Sequence, residues 1–361
     1  MLGPRVVERS VRRRTLLGLS FAVALVGCEK DRPVTTSPAQ TGELRCRSRL
    51  EPQELLPGNA TFVAYYDMNR ERRRAPRIST KPAAGPRSLL PIEVEAVRMA
   101  WIGISAACEL DDRFFGEAWL AVDSEEEGLV VLAGKGIGNE RNLRCISNRL
   151  GAIEPSFVDG TNLRSTGCGL EIDADYDDVS GFAPSDDMLV LGTNPAVDRA
   201  RAVWNGGFPN PPAKLLPPRR NRAWIWGAVD VEAFLSPSEV ASAFSDTGHG
   251  ELGALSTVRT LEFQASMTRR LALEVGASFP SDADVRAVRA VLDASIASPP
   301  PTLPAWAQSL ISKSRVESKG PRVTVSIPMD RRAAYDMGLI PNRTEANQMP
   351  AFAWLSAILV L

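Results

Sequence analysis

The chain has 361 residues, 42 of them basic and 43 acidic, for a net charge of −1 at pH 7. That balance excludes a broad cationic footprint for nucleic acid, which needs a basic patch or stripe. A hydrophobic content of 44% over this length supports a substantial core, most naturally in two domains.

Residues 1–27 read as an export signal. Arg5, Arg12, Arg13 and Arg14 precede an apolar run from Leu16 to Val26 that is too short to span a bilayer permanently. The run ends in Leu25-Val26-Gly27-Cys28. These four residues resemble the lipobox of bacterial lipoproteins. The resemblance implies cleavage before Cys28 and a lipid on that cysteine, which would hold the protein at the membrane of the cell envelope. A plain cleaved signal without lipid is the alternative. Arg13-Arg14-Thr15-Leu16-Leu17 is also similar to the twin-arginine export signature, so this route and the general secretory one both stand open. In enterobacterial lipoproteins an Asp after the cysteine implies retention in the inner membrane, so Glu29 points to the outer one. No polybasic segment adjoins Cys28, and stable anchorage would therefore take several acyl chains.

Residues 28–56 are rich in Pro, Thr, Ser, Gln and charge, and read as a flexible tether that cannot repay its ordering entropy. A first domain is expected over 57–207. It opens with a strand at Ala60–Tyr66. The cluster Arg70 to Arg74, with Arg77, Lys81 and Arg87, reads as an exposed loop.

Two segments 142 residues apart share one pattern without a gap, Trp119 to Leu150 and Leu261 to Leu292. Each reads as a β-hairpin followed by a helix. Asn139 and Ser281 take the N-cap position, and Asp284 follows Ser281 in a capping-box-like arrangement. Leu143, Ile146 and Leu150 in one copy, and Val285, Val288 and Leu292 in the other, form a single apolar stripe. Ala223–Val229 is a strand ahead of the second hairpin, as Ala60–Tyr66 is ahead of the first. Val323–Ile327 alternates strictly. An additional strand at Asp187–Gly192 and a helix with Asn194 as N-cap, running to about Trp204, extend the first copy.

The resulting expectation is an α+β protein of two related two-layer units, each a mostly antiparallel sheet with helices packed on one face. A Pro-rich linker at 208–221 separates the first domain from a second at 222–335. A C-terminal tail follows at 336–361, whose apolar part, Phe352 to Leu361, is too short to span a membrane and reads as a docked terminal element.

Setting Cys28 aside, Cys46, Cys108, Cys145 and Cys168 are an even set in an exported chain and imply two disulfides. Cys145–Cys168 closes a short local loop, and Cys46–Cys108 would pin the end of the tether to the body. No CxxC spacing favours metal instead. Asp173, Asp175 and Asp177 match the start of a calcium loop, but Asp178 and Pro184 stand where its Gly and Glu belong. A strand with one carboxylate-bearing face accounts for the same letters. His249 is the only histidine, no serine lies in a GxSxG elbow, and Gly134, Gly136 and Gly138 have the wrong spacing for a nucleotide loop. No catalytic residue and no cofactor is therefore expected. Trp224 and Trp226 read as sharing one strand face with Ala228, either lining a ligand surface or packing beneath a helix.

The patterning is also similar to two-unit envelope lipoproteins of myxobacteria and related bacteria, which have no known activity. The expected function is non-enzymatic: a lipid-anchored envelope protein offering a surface to a protein partner. A carrier or sensor of a small apolar ligand and a carboxylate-based hydrolase are the alternatives.

Overall fold

Apolar residues at alternate positions make strands of most of the ordered core, because successive side chains point to opposite faces. The computed structural model describes residues 50–74, 103–111, 113–125, 127–153, 161–166, 169–174, 179–207, 223–234, 255–267, 271–299 and 305–330, with isolated positions between them. The strands are β1 (Ala60–Asp67), β2 (Glu117–Asp123), β3 (Gly128–Ala133), β4 (Thr161–Thr166), β5 (Gly169–Ala174), β6 (Val179–Ser185), β7 (Met188–Thr193), β8 (Ala223–Asp230), β9 (Thr260–Met267), β10 (Leu271–Ser278), β11 (Arg315–Lys319) and β12 (Arg322–Met329). A 3-10 turn at Pro52–Leu55 precedes them. The helices are α1 (Met68–Arg74), α2 (Glu140–Ile153), α3 (Asn194–Trp204), α4 (Val231–Phe234), α5 (Asp282–Ala297) and α6 (Ala305–Ile311).

The described strands form one twelve-stranded sheet in the order β11-β12-β10-β9-β8-β1-β2-β3-β7-β6-β5-β4. Every neighbouring pair is antiparallel. The protein is thus mixed α+β and dominated by an antiparallel sheet. A separate sheet in each half was expected. Instead β1 pairs directly with β8, with Tyr65 opposite Trp226 and Ala64 opposite Gly227, so the two stretches of sheet are continuous. The strand read as additional, β7, is the neighbour of β3, and β5 and β4 lie outermost.

One row of residues crosses all twelve strands without a polar side chain: Val316, Val325, Val275, Phe263, Gly227, Ala64, Leu120, Val130, Leu191, Gly181, Ile172 and Leu163. It runs along the first face of the sheet. Leu143 and Ile146 of α2 and Leu310 of α6 pack onto this face, and Val285 and Val288 of α5 join Val323 on it. The second face, through Val63, Trp119, Val131 and Val190, is covered by α3 with Val197, Ala200, Val203 and Trp204. Helices therefore lie on both faces in the first half, where one face was expected. The reason is legible in β3, whose Val130 and Leu132 point one way and whose Leu129 and Val131 point the other, all buried.

The helix starts follow local rules. The Ser281 hydroxyl accepts from the Asp284 backbone N–H at 3.2 Å, capping α5. Thr193, not Asn194, is the N-cap of α3, with Pro195 in its first turn. The arginines read as a loop begin within a helix: Asp67 accepts the Arg70 backbone N–H at 2.7 Å and so starts α1. The sheet's β11 edge carries Arg315, Glu317 and Lys319, charges of the kind that discourage strand addition.

Candidate functional site

The least ordinary chemistry lies where β1 and β2 end together. Alternation puts Tyr65 and Asp67 on the second face of β1 and Glu117 and Trp119 on the same face of β2. Register then places Tyr65 opposite Trp119 and Asp67 opposite Glu117. The Tyr65 and Trp119 rings are 4.4 Å apart, centroid to centroid. Asp67 is fully engaged: besides capping α1 it pairs with Arg70 at 3.2 Å, and Arg70 donates to the Ala223 carbonyl oxygen at 2.6 Å. Glu117 has no cation beside it among the described residues. Burial holds its carboxyl above the usual acid range, and the neighbouring Asp67 and Glu51 charges act in the same direction. Hydrogen bonding from Tyr65 and the Trp119 indole opposes this in part, although the buried Trp119 Nε1 completes no hydrogen bond of regular geometry. Burial, Asp67 and Glu117 likewise push the Tyr65 phenol upward. Leu55 and Leu56, each 1% exposed, belong to the apolar cluster of the second face that also holds Trp119. The arrangement favours the neutral carboxyl of Glu117, with Glu51 of the residue 50–56 segment among the charges that act on it.

A second polar cluster is structural. Asp123 is wholly buried, accepts the Glu125 and Glu127 backbone N–H groups at 2.8 and 3.0 Å, and receives Arg199 at 2.9 Å. Arg199 also reaches Glu127 at 2.7 Å, so one guanidinium ties the β2–β3 turn to α3.

The third feature is on α2. Its outward face lines a groove of about 830 Å³ with Glu140, Arg141, Arg144, Cys145, Asn148 and Arg149.

Trp224 and Trp226 do not share a face. A register shift between Ala223 and Ile225 turns Trp224 into the first-face core and leaves Trp226 in the second-face core. They are 2% and 3% exposed, so neither offers a ligand surface. Cys108 is bonded to Cys145, at a Cα separation of 5.8 Å. This overturns both expected pairings, because the start of α2 is carried back to the helical stretch at 103–107 rather than forward to Cys168. Cys28, Cys46 and Cys168 lie outside the described residues, as do Asp175, Asp177 and His249. Asp173 lies in β5, opposite Asn162 and Ser180. Among the described residues no three acidic, His or Cys side chains converge as metal ligands. Nor is any described helix long and apolar enough to cross a membrane.

Sequence reasoning missed Glu117. It is one of 43 acidic residues, and its oddity depends on its burial and on register with Asp67. The arginine stripe on α2 was readable from spacing once the helix was placed.

No family model matches the chain, and no curated protein matches it. Among solved structures it is similar to treponemal TP0453 in two crystal forms. In one the identity is 11%, the TM-score 0.42, and the match covers 81% of this chain and 98% of that one. In the other the values are 12%, 0.39, 81% and 99%.

Proposed function

We propose that this is a lipid-anchored protein of the bacterial cell envelope, non-enzymatic, which presents a surface to another envelope protein. Anchorage rests on Cys28 at the end of the export signal. The body is a duplication of two related α+β units behind a tether. In support, α2 and α5 begin 142 residues apart, each after a hairpin, and β7 lies beside β3 as β12 lies beside β10.

One observation carries the partner reading. The second face of the sheet is covered by α3 in the first half, whereas no described helix covers it over β10, β12 and β11. That area is polar and already organised. Arg322 crosses β10 over Gly276 to pair twice with Glu262, at 2.9 and 2.8 Å, and Gln264 bonds Glu274. Thr324 and Ser326 stand half-buried beside them. Such a surface is hydrogen-bonded and polar, suited to a partner's polar face. The residues that a carrier or hydrolase would use are committed inside: Trp224 and Trp226 to the core, Asp67 to Arg70.

A photo-cross-linker placed at Thr324 or Ser326 in cells should join the protein to one envelope protein, and the same label at Arg286 on α5 should not. Equal labelling from both places would overturn the surface assignment. Anchorage is tested separately. Cys28→Ala should release the protein from the membrane fraction, and retention there would overturn the lipid.

A second reading, carriage of a small apolar ligand between helices and sheet, draws on the first face. There Val275 is 44% and Leu261 36% exposed, beside half-buried Phe263.

A further inference from the structure

The amphipathic pattern of α2 leaves a charged face outward. Leu143 and Ile146 pack toward the sheet, while Arg141, Arg144, Asn148 and Arg149 line the groove. Arg144 is committed, donating to Glu140 Oε1 at 2.9 and 2.7 Å. Arg141 reaches Glu109 only at 3.9 Å, and the two side chains are 85% and 82% exposed. Arg149 has no ion pair among the described residues. Three guanidiniums thus stand against two carboxylates, Glu140, which is taken by Arg144, and the loosely placed Glu109, which leaves Arg149 uncompensated among the described residues.

Two further observations make this more than a solvated helix. Cys145 lies in the groove and its bond to the buried Cys108 fixes the helix face in place. Helix α5, its counterpart in the two-unit reading, has no such excess: Arg286 and Arg289 stand against Asp282, Asp284 and Asp293, and Arg289 is paired with Asp293 at 3.4 Å. Of these two helices, only α2 carries the cationic surplus.

Resting on the partner-presenting reading above, we propose that the outward face of α2 binds an acidic, extended polypeptide segment of a protein partner. From Arg141 to Arg149 the helix rises about 12 Å, more than one phosphate group can bridge. In an extended peptide, side chains on one face recur about every 7 Å, so two or three carboxylates meet this stripe. The guanidinium fork takes a carboxylate through two parallel hydrogen bonds. A planar membrane fits less well, because the lining carries no large apolar side chain to insert.

The test uses the full chain in neutral detergent micelles and a fluorescent peptide of alternating Glu and Ser. Binding should be saturable, weaken as salt rises, and fall about tenfold or more in Arg141→Gln/Arg149→Gln with the circular dichroism unchanged. Arg286→Gln should leave it intact, and an alternating Lys and Ser peptide should not bind. Three results would overturn the proposal: no binding, equal binding by the double variant, or displacement of the peptide by inorganic phosphate or by vesicles of phosphatidylcholine and phosphatidylglycerol at matched charge. Cross-linking from Thr324 and fractionation of Cys28→Ala do not depend on these arginines, so a failure here is distinguishable from a failure of the partner-presenting reading.

Discussion

Glu117 and Asp67 face one another across β2 and β1, yet among the described residues only Asp67 has a cation to answer its charge. Arg70 holds the Asp67 carboxylate in place as the cap of α1, and after burial the Asp67 charge is the next cause that raises the Glu117 carboxyl above its ordinary value.

The consequence is a defined pH dependence. The folded state binds the Glu117 proton more tightly than the unfolded chain, where the carboxyl returns to its ordinary value of 4.5. Stability contributed by the neutral acid is therefore present below that value and lost as pH rises through the raised folded one. Glu117→Gln keeps an acceptor for Tyr65 and removes the charge. Its melting temperature should gain on wild type as pH rises above 4.5, and the difference should level off once the folded-state carboxyl has ionised. A wild-type-minus-variant difference that stays constant with pH would show that Glu117 titrates normally.

The Cys108–Cys145 bond closes a loop of 37 residues, whose entropy in the unfolded chain is worth about 3–4 kcal/mol. Cys108→Ser/Cys145→Ser should lose stability of that order. Peptide mapping without reduction should give the 108–145 cross-link and neither 145–168 nor 46–108. With those two sulfurs engaged and Cys28 set aside, a second intramolecular bond has only Cys46 and Cys168 to draw on.

How much of this was legible depends on the range of the interaction. The hairpins β2–β3 and β9–β10 and the helices after them follow from alternation, turn residues and the caps before Glu140 and Asp282, all local signals. The joining of β1 to β8 brings together residues more than 150 apart in the chain, and nothing within either strand announces its neighbour. Trp224 defeated the period-2 rule because one irregular position near Ala223 reverses the face of every residue before it. The disulfide defeated loop-length reasoning for a similar reason, since packing of the 103–107 stretch against the body decides which sulfur Cys145 meets.

Arg199 is a sharper test of side-chain tertiary structure. Its removal leaves Asp123 fully buried with two backbone donors but no counter-charge. Because Arg199 itself is 40% exposed, Arg199→Leu should cost about 1–3 kcal/mol rather than the full penalty of a broken buried pair. Asp123→Asn in the same chain should recover part of that loss, measured by urea unfolding. Equal stability of wild type and Arg199→Leu would mean the backbone donors alone suffice for Asp123.

Gly227 tests whether the two halves of the sheet join as described. It sits in β8 between Ala64 of β1 and Phe263 of β9, and a Cβ at this position would lie 2.2 Å from Phe263 Cζ and 2.4 Å from Cε1. The aromatic ring lies flat over the glycine and takes the place a side chain would occupy in the apolar row. Gly227→Ala should therefore cost about 1–3 kcal/mol by overpacking. Phe263→Leu alone loses buried aromatic area, but it also vacates the space above residue 227. The two substitutions together should be less damaging than the sum of each alone, a coupling measurable by a double-mutant cycle in urea. Strict additivity would mean that Phe263 does not lie over Gly227, and with it would go the register that links β8 to β9.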